Sequence, residues 1–249
     1  MKKLLCLGLL LSIVPFALVH ASTHAIFSQV LADHVRDGWV DYRSLKNDAR
    51  LDTYIMQLAG TDPESIPSRD EKLAFWINAY NAYTLKIITD NYPVKSIRDL
   101  NKGLFGGSVW DQQLVTINGE KTTLNTIEHK IIRPRFNEPR IHFALVCAAK
   151  SCPPLRSEAY ESDRLDDQLD DQSRTFLSDS AKNGFDIKNK KASISMIFRW
   201  YGKDFSGNNQ GLLLYLSRFL PVDAASSIRD NPAAWSVSYR AYDWSLNEM

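Results

Sequence analysis

The 249-residue chain is 44% hydrophobic and 24% charged, a composition typical of a folded globular protein rather than of a disordered one. Thirty basic and 29 acidic residues leave a formal charge of +1 without a basic run, so we expect no nucleic-acid partner. After the first 21 residues no stretch of about 20 apolar residues follows, and we expect no transmembrane segment there.

The first 21 residues have the pattern of a secretory signal peptide. The chain begins with MKK and continues with an apolar run over Leu4–Val19. Val19 and Ala21 are then placed for cleavage after Ala21. This pattern predicts a signal peptide over residues 1–21, a secreted or periplasmic location, and one globular domain over residues 22–249. Cys6 falls within the predicted signal peptide, so only two cysteines would remain in a compartment that permits disulfides.

The segment after the signal peptide is predicted to be mainly helical. A helix over His24–Val35, the short extended segment Trp39–Tyr42 and a second helix over Arg43–Ala59 would form a first layer. We interpret His24 and His34 as solvated helix residues.

The longest predicted helix covers Arg69–Asn91 and ends before Pro93. Between residues 73 and 88 it is apolar nearly all the way round, which is typical of a helix at the centre of a core. Asn78 and Asn81 are embedded in this apolar stretch and must therefore find hydrogen bonds. Either they clamp the backbone of a neighbouring segment, or they bind substrate by donating to a developing oxyanion.

A hairpin and a shorter helix come next. Gln113–Ile117 and the Asn-Gly turn that follows predict a β-hairpin. Leu124–Ile132 predicts a helix whose apolar arc includes Glu128, so this carboxylate must be paired, capped or put to use. One alternative makes Glu128 the third residue of a capping box that begins at Asn125. The other gives Glu128, together with the adjacent His129, a catalytic role.

Two cysteines lie at and just after the end of the predicted buried strand Arg140–Cys147. Cys147 would end this strand, and Cys152 would lie in a loop bounded by prolines. A nucleophilic thiolate needs a histidine or another cation nearby, and every histidine precedes Cys147 in the sequence. His142 would lie on the opposite strand face from Cys147, so we expect it to have a structural role. The alternative use of the thiols is a disulfide that closes a small loop.

The C-terminal third mixes helices and strands. The predicted elements are helices over Asp163–Ser178, Ile197–Tyr201 and Gly211–Leu220, a hairpin that turns at Asn189, and a strand in the tail. The whole pattern predicts an α+β fold in which helices pack on a small, mostly antiparallel sheet. The sequence contains no zinc-protease, Walker or dinucleotide-binding motif, so we expect no metal site and no cofactor.

Five segments occur in a fixed order along the chain, namely FWINAYNAYTLKII, IEHKIIRP, EPRIHFALVCAAKSCPPLR, FRWYGKDF and YDWSLN. Together they resemble the bacterial members of the family called domain of unknown function 547, over about Phe75–Asn247. The resemblance implies a permuted papain-like cysteine hydrolase fold. It also singles out His129 and Cys147, because both lie in segments that are hallmarks of the family.

We therefore expect a papain-like cysteine hydrolase or acyltransferase that acts on an amide or thioester in a peptide or small-molecule substrate. Cys147 would be the nucleophile, His129 the general base, and Glu128 would orient the imidazole or hold the helix end. The expected binding residues are Asn78, Asn81 and Cys152. The alternative is a non-catalytic periplasmic binding domain with a structural Cys147–Cys152 disulfide.

Overall fold

The structure, a computed structural model, describes residues 24–103 and 107–249, so the predicted signal peptide lies outside the described residues. The N-terminal layer contains three helices and a hairpin: α1 (Ala25–His34), β1 (Val35–Arg36), β2 (Trp39–Val40), α2 (Tyr42–Leu45) and α3 (Ala49–Gly60). The single helix predicted over residues 43–59 is therefore two helices. The break occurs because the Asp48 side chain accepts a hydrogen bond from the Arg50 N–H and caps a new helix.

The prediction that His24 and His34 are solvated is wrong. His24 is only 4% exposed, its Nδ1 lies 2.7 Å from the Tyr54 hydroxyl, and burial lowers its pKa to about 4. The Nε2 atom of His34 lies 2.9 Å from an Asp48 carboxylate oxygen. The two imidazoles thus tie both ends of α1 to α3 and its cap.

Helix α4 (Arg69–Asn91) lies at the centre of the fold, with the bounds that the sequence predicts. It begins where the Ser68 side chain accepts a hydrogen bond from the Glu71 N–H. From Leu73 to Thr89 all but one of its residues are buried, so neighbouring segments surround it. Such a helix is stabilised by packing on every side rather than along one stripe.

The next hairpin pairs β3 (Val115–Ile117) with β4 (Glu120–Thr122), and both turn residues have the positive φ angles that an Asn-Gly turn adopts. Three helical segments follow without a break: α5 (Leu124–Thr126), a π-helix (Ile127–Ile132) and α6 (Arg133–Phe136). The first alternative for Glu128, a capping box that begins at Asn125, is wrong, because Thr123 caps the helix by accepting a hydrogen bond from the Thr126 N–H.

The prediction of a strand over residues 140–147 is also wrong. Ile141–Ala144 forms one helical turn, α7, and the chain then runs extended without joining a sheet. A continuous apolar run suits a buried helix as well as a buried strand, so periodicity alone could not separate them. The Asn81 side chain replaces the missing strand partner, because it bonds both the Ala144 carbonyl and the Val146 N–H.

The C-terminal part contains five helices and a three-stranded sheet. The helices are α8 (Leu165–Ser178), α9 (Ile197–Trp200), α10 (Gly202–Phe205), α11 (Asn209–Leu216) and α12 (Val222–Asp230), and the strands are β5 (Gly184–Asp186), β6 (Lys191–Ile194) and β7 (Ser236–Tyr239). β5 and β6 pair antiparallel, whereas β6 and β7 pair parallel. The predicted α+β class is confirmed, with the strands divided among three small sheets instead of one.

Two hydrophobic clusters form the core. One surrounds α4, and the other gathers side chains of α8, α9, α11 and β6; Tyr242 in the C-terminal tail packs against both. The tail also bridges Ala149 through Leu246 and Val40 through Glu248. Across residues 24–103 and 107–249, none of the helices combines the length and apolar character needed to cross a membrane.

Candidate active site

A pocket of about 200 Å³ lies where the two hydrophobic clusters meet. Its walls come from helix α4, the π-helix, the segment 142–152, helix α9 and the C-terminal tail. The lining residues are Tyr80, Trp110, Asn125, Glu128, His142, Leu145, Cys147, Cys152, Ile197, Trp200, Tyr201, Tyr242 and Trp244. All five sequence segments that carry the family resemblance therefore contribute to one pocket.

Both cysteines lie at this pocket as free thiols in direct contact. Their sulfur atoms are 2.8 Å apart, the Cys147 N–H donates to the Cys152 sulfur at 2.8 Å, and the Tyr242 hydroxyl lies 3.2 Å from the Cys147 sulfur. Burial raises the pKa of Cys152, but the hydrogen bonds from Cys147 and Tyr242 lower it overall. Donation to Cys152 and burial raise the pKa of Cys147. Of the two thiols in contact, Cys152 is therefore the more acidic.

One residue of the loop between the cysteines has a left-handed backbone conformation. Ala148 has φ +59°, a left-handed conformation that side chains rarely adopt, and it is 1% exposed. Its carbonyl accepts a hydrogen bond from the Asn247 N–H, and Ala149 forms a bridge to Leu246. These contacts with the tail hold the loop in the conformation that turns Cys152 back onto Cys147.

Glu128 is buried and faces the pocket, as its place in the apolar arc predicts. It sits in the π-helix, a local widening of the helix that often marks a functional site. The Tyr201 hydroxyl hydrogen-bonds to Glu128, and burial together with the Glu128 charge raises the pKa of Tyr201 well above its ordinary value. Tyr201 therefore stays protonated and acts as a hydrogen-bond donor to the carboxylate.

His129 does not line the pocket. Its side chain is 34% exposed, and its Nδ1 atom lies 2.9 Å from a guanidinium nitrogen of Arg133. Since arginine only donates, Nδ1 must be the acceptor of this hydrogen bond. Arg133 in turn forms a two-pronged ion pair with Asp204.

His142 is the histidine that lines the pocket beside the cysteines. Its Nε2 lies 2.7 Å from an Asp204 oxygen, and its ring stacks on Tyr201 with centroids 4.0 Å apart. The hydrogen bonds from His142 and Arg133 hold the pKa of Asp204 far below its usual range. The sequence interpretation missed His142, because it placed residues 140–147 in a strand that would have turned the imidazole away from Cys147.

Asn78 and Asn81 both clamp backbone, the first of the two alternatives considered from the sequence. Asn78 bonds the Tyr160 carbonyl and N–H at 2.8 and 2.9 Å, and Asn81 bonds the Ala144 carbonyl and Val146 N–H at 2.9 and 3.0 Å. Neither amide lines the pocket. Asn81 nevertheless acts on the site from a distance, because it fixes the segment that leads into Cys147.

Four aromatic rings form the outer wall of the pocket, and the sequence interpretation assigned them no role. The rings of Trp200, Tyr242 and Trp244 have centroids 4.6–5.9 Å apart, and Trp110 meets Trp244 edge-on at 5.8 Å. The tryptophans of FRWYGKDF and YDWSLN supply two of these rings. The clustering of tryptophan and tyrosine within those two segments was the available signal.

A larger open groove of about 960 Å³ borders the other side of the thiol pair. Cys152 lines both the groove and the pocket, and the groove continues past Lys150 and Arg156 towards Trp39. Within the described ranges, no three or more histidine, cysteine or acidic side chains are arranged to hold a metal ion. The arrangement therefore offers thiol, imidazole, carboxylate and phenol groups for chemistry at one place.

The comparisons with known proteins find a family resemblance for part of the chain that forms this pocket. No curated protein and no solved structure matches the chain. A family model matches over a segment that includes Tyr80, Glu128 and both cysteines, whereas the aromatic wall from α9 and the tail follows that segment. Residues 63–177 match the model described as "Protein of unknown function, DUF547", so this part of the chain is similar to that family.

Proposed function

We propose that the protein is a cysteine hydrolase or acyltransferase that acts on an amide or thioester, with Cys147 as the nucleophile. The observation that supports this proposal is the contact between two free thiols in a pocket that also holds His142 and Glu128. Cys147 is the better candidate of the two thiols because it is half-buried, whereas Cys152 is 4% exposed. A secreted or periplasmic location, as the N-terminal pattern predicts, remains part of the proposal.

In the proposed reaction the Cys147 sulfur attacks the carbonyl carbon and gives its proton to the Cys152 thiolate. The 2.8 Å contact between the sulfur atoms provides the path for that proton. The proton then passes through His142 to the leaving amine or thiol, so a thioester on Cys147 and a neutral leaving group are formed. Attack by water releases the acid and returns the proton to the thiol pair, whereas attack by another nucleophile completes an acyl transfer.

The base in this proposal differs from the sequence expectation. His142 lines the pocket and is oriented by the Asp204 carboxylate, which is the arrangement that holds a catalytic imidazole in one tautomer. His129 acts through Arg133 and Asp204, so it becomes a positioning residue for His142. Glu128, held by Tyr201, orients the substrate within the pocket.

A thiol–disulfide redox function is the second candidate, and the contact between the two sulfur atoms is what favours it. Oxidation would form the Cys147–Cys152 disulfide and release two electrons and two protons to an external disulfide, which would become a dithiol. If the Cys147–Cys152 disulfide formed and was never reduced again, the protein would instead be the non-catalytic binding domain with a structural disulfide.

Acylation by 4-nitrophenyl acetate followed by peptide mass spectrometry tests the proposal. We expect a burst of nitrophenol and an acetyl group on Cys147, a loss of the burst in Cys147→Ser, and a strong reduction in His142→Gln. His129→Gln is the matched variant and should retain most of the burst. Acetylation of Cys152 alone would overturn the assignment of Cys147 as the nucleophile. No burst, together with reduction of insulin disulfides, would exclude the hydrolase in favour of the redox candidate.

A further inference from the structure

We propose that the pocket binds a cationic group of the quaternary ammonium class, held by its aromatic wall and by the Glu128 carboxylate. This inference concerns binding alone, and it goes beyond the proposed function because it holds whether or not the thiols react. Three features of the pocket support it: the rings, the charge and the size.

The aromatic wall provides the faces that attract a cation. A cation over the face of tryptophan or tyrosine, within about 6 Å of the centroid, is drawn to the negative charge of the ring face. Trp110, Trp200, Tyr242 and Trp244 all line the pocket. Trp244 already makes such a contact with the chain itself, because the Arg98 guanidinium lies 5.2 Å from its centroid.

The charge of the pocket is negative and is not cancelled from within. Among the described residues that line it, Glu128 is the only acidic one and there is no lysine or arginine. Arg133 does not line the pocket; it forms a two-pronged ion pair with Asp204 and also interacts with the charge of Glu128. His129 lies 3.9 Å from Glu128, but the nitrogen that faces the carboxylate accepts the Arg133 hydrogen bond and therefore carries no proton.

The size of the pocket limits the occupant to a small group. Its volume of about 200 Å³ is below the roughly 300–1,000 Å³ of sites that enclose a drug-sized ligand. A trimethylammonium head or the methylated end of a longer molecule fits this description. The rest of such a molecule would leave through the mouth of the pocket.

Titration with choline and with 3,3-dimethylbutan-1-ol, followed by tryptophan fluorescence and calorimetry, tests the inference. The two probes have the same shape, but only choline carries a charge. We expect saturable binding of choline and binding of the neutral probe that is weaker by about tenfold. Choline offers no acyl group and its binding is measured without any reaction at the thiols, so a failure of the acylation experiment would leave this result intact. Equal affinity for the two probes, or no saturable binding of choline, would overturn the inference.

Variants of the pocket separate the contributions of charge and rings. Glu128→Gln should weaken choline binding by about tenfold and leave the neutral probe unaffected. Trp200→Ala provides a second test, because Trp200 is 45% exposed and its removal leaves the core intact. Trp39→Ala is the matched control, since Trp39 is similarly exposed at 42% but lies outside the pocket. Loss of binding in the control, or full binding in both pocket variants, would contradict the proposed site.

Discussion

Tyr242 illustrates how a single hydroxyl sets the state of the thiols. Its oxygen lies 3.2 Å from the Cys147 sulfur, and its hydrogen bonding lowers the pKa of both cysteines. Burial and the neighbouring thiols raise the pKa of Tyr242 itself well above its ordinary value, so it remains a donor at neutral pH. A donor of this kind stabilises the thiolate more than the thiol.

Replacement of this hydroxyl should make the thiols less reactive. We expect Tyr242→Phe to move the midpoint of the pH–rate profile for iodoacetamide upward by about 0.5–1 pH unit, because a donor to the thiolate is lost. Mass spectrometry after limited alkylation would give the rate at each cysteine. Tyr239→Phe is the control, because its hydroxyl makes only a 3.4 Å contact with Asn209 outside the pocket. An unchanged midpoint in Tyr242→Phe would show that this tyrosine does not act on the thiols.

The sequence predicted which cysteines and which carboxylate lie at the site, but not which histidine lies beside them. Cys147, Cys152 and Glu128 lie together at the pocket, whereas the histidine beside them is His142 instead of His129. The choice of the wrong histidine came from the secondary-structure prediction, which assigned a strand to residues 140–147. Whether Cys147 and His129 have the catalytic roles expected of them stays a prediction.

Within helix α4, two asparagines of the same kind have different consequences for the site. Asn78 and Asn81 each satisfy one carbonyl and one N–H of an adjacent segment, but only Asn81 holds the residues that lead into Cys147. Loss of either side chain leaves two buried backbone groups without partners, at a cost of about 1–3 kcal/mol for each group.

The two alanine variants therefore form a matched pair. We expect Asn78→Ala and Asn81→Ala to lower the free energy of unfolding by similar amounts, about 2–6 kcal/mol in urea titrations. Only Asn81→Ala should also change the alkylation rate of Cys147 in the native state. If Asn78→Ala changed that rate by the same factor, the effect would reflect general loosening of the fold and not the clamp.

Helices and strands were predicted correctly where the local sequence pattern is compatible with only one kind of structure. Helix α4 has its predicted bounds, and the Asn-Gly turn placed the β3–β4 hairpin correctly. The π-helix could not be predicted, because the sequence of Ile127–Ile132 also fits an α-helix and the widening depends on tertiary packing. The helical turn α7 was missed because a continuous apolar run fits a buried helix as well as a buried strand.

For the whole molecule, the buried His24 predicts how stability depends on pH. Burial lowers its pKa to about 4, whereas an unfolded histidine has a pKa near 6.5. Between these values the unfolded chain binds the additional proton, so stability must fall as the pH falls from about 6.5 to 4. The total loss from this one group is about 3 kcal/mol, at roughly 1.4 kcal/mol for each pH unit.

Urea titrations at a series of pH values would measure this dependence. We expect His24→Gln to flatten the decline between about pH 6.5 and 4, because glutamine does not titrate, while it can still bond the Tyr54 hydroxyl. Parallel curves for the variant and the native protein would show that His24 is not the group responsible.

The site as a whole could not be predicted from the sequence, because its walls come from elements far apart along the chain. Tyr80, Cys147 and Trp244 meet only through the packing of two hydrophobic clusters around the C-terminal tail. The order of the five segments in the sequence indicated the family resemblance, but it did not show that the segments meet at one pocket.

Because the C-terminal tail is synthesised last, the two cysteines exist for some time without their contacts to it. Tyr242 follows Cys147 by 95 residues. A ribosome that adds about 5–20 residues each second therefore completes the two cysteines about 5–20 seconds before it reaches Tyr242. Throughout that interval the sulfur atoms are neighbours in sequence, yet they lack both the hydroxyl that stabilises the thiolate and the rings that cover it. A nascent chain thus exposes this loop before the contacts from the C-terminal tail have formed around it.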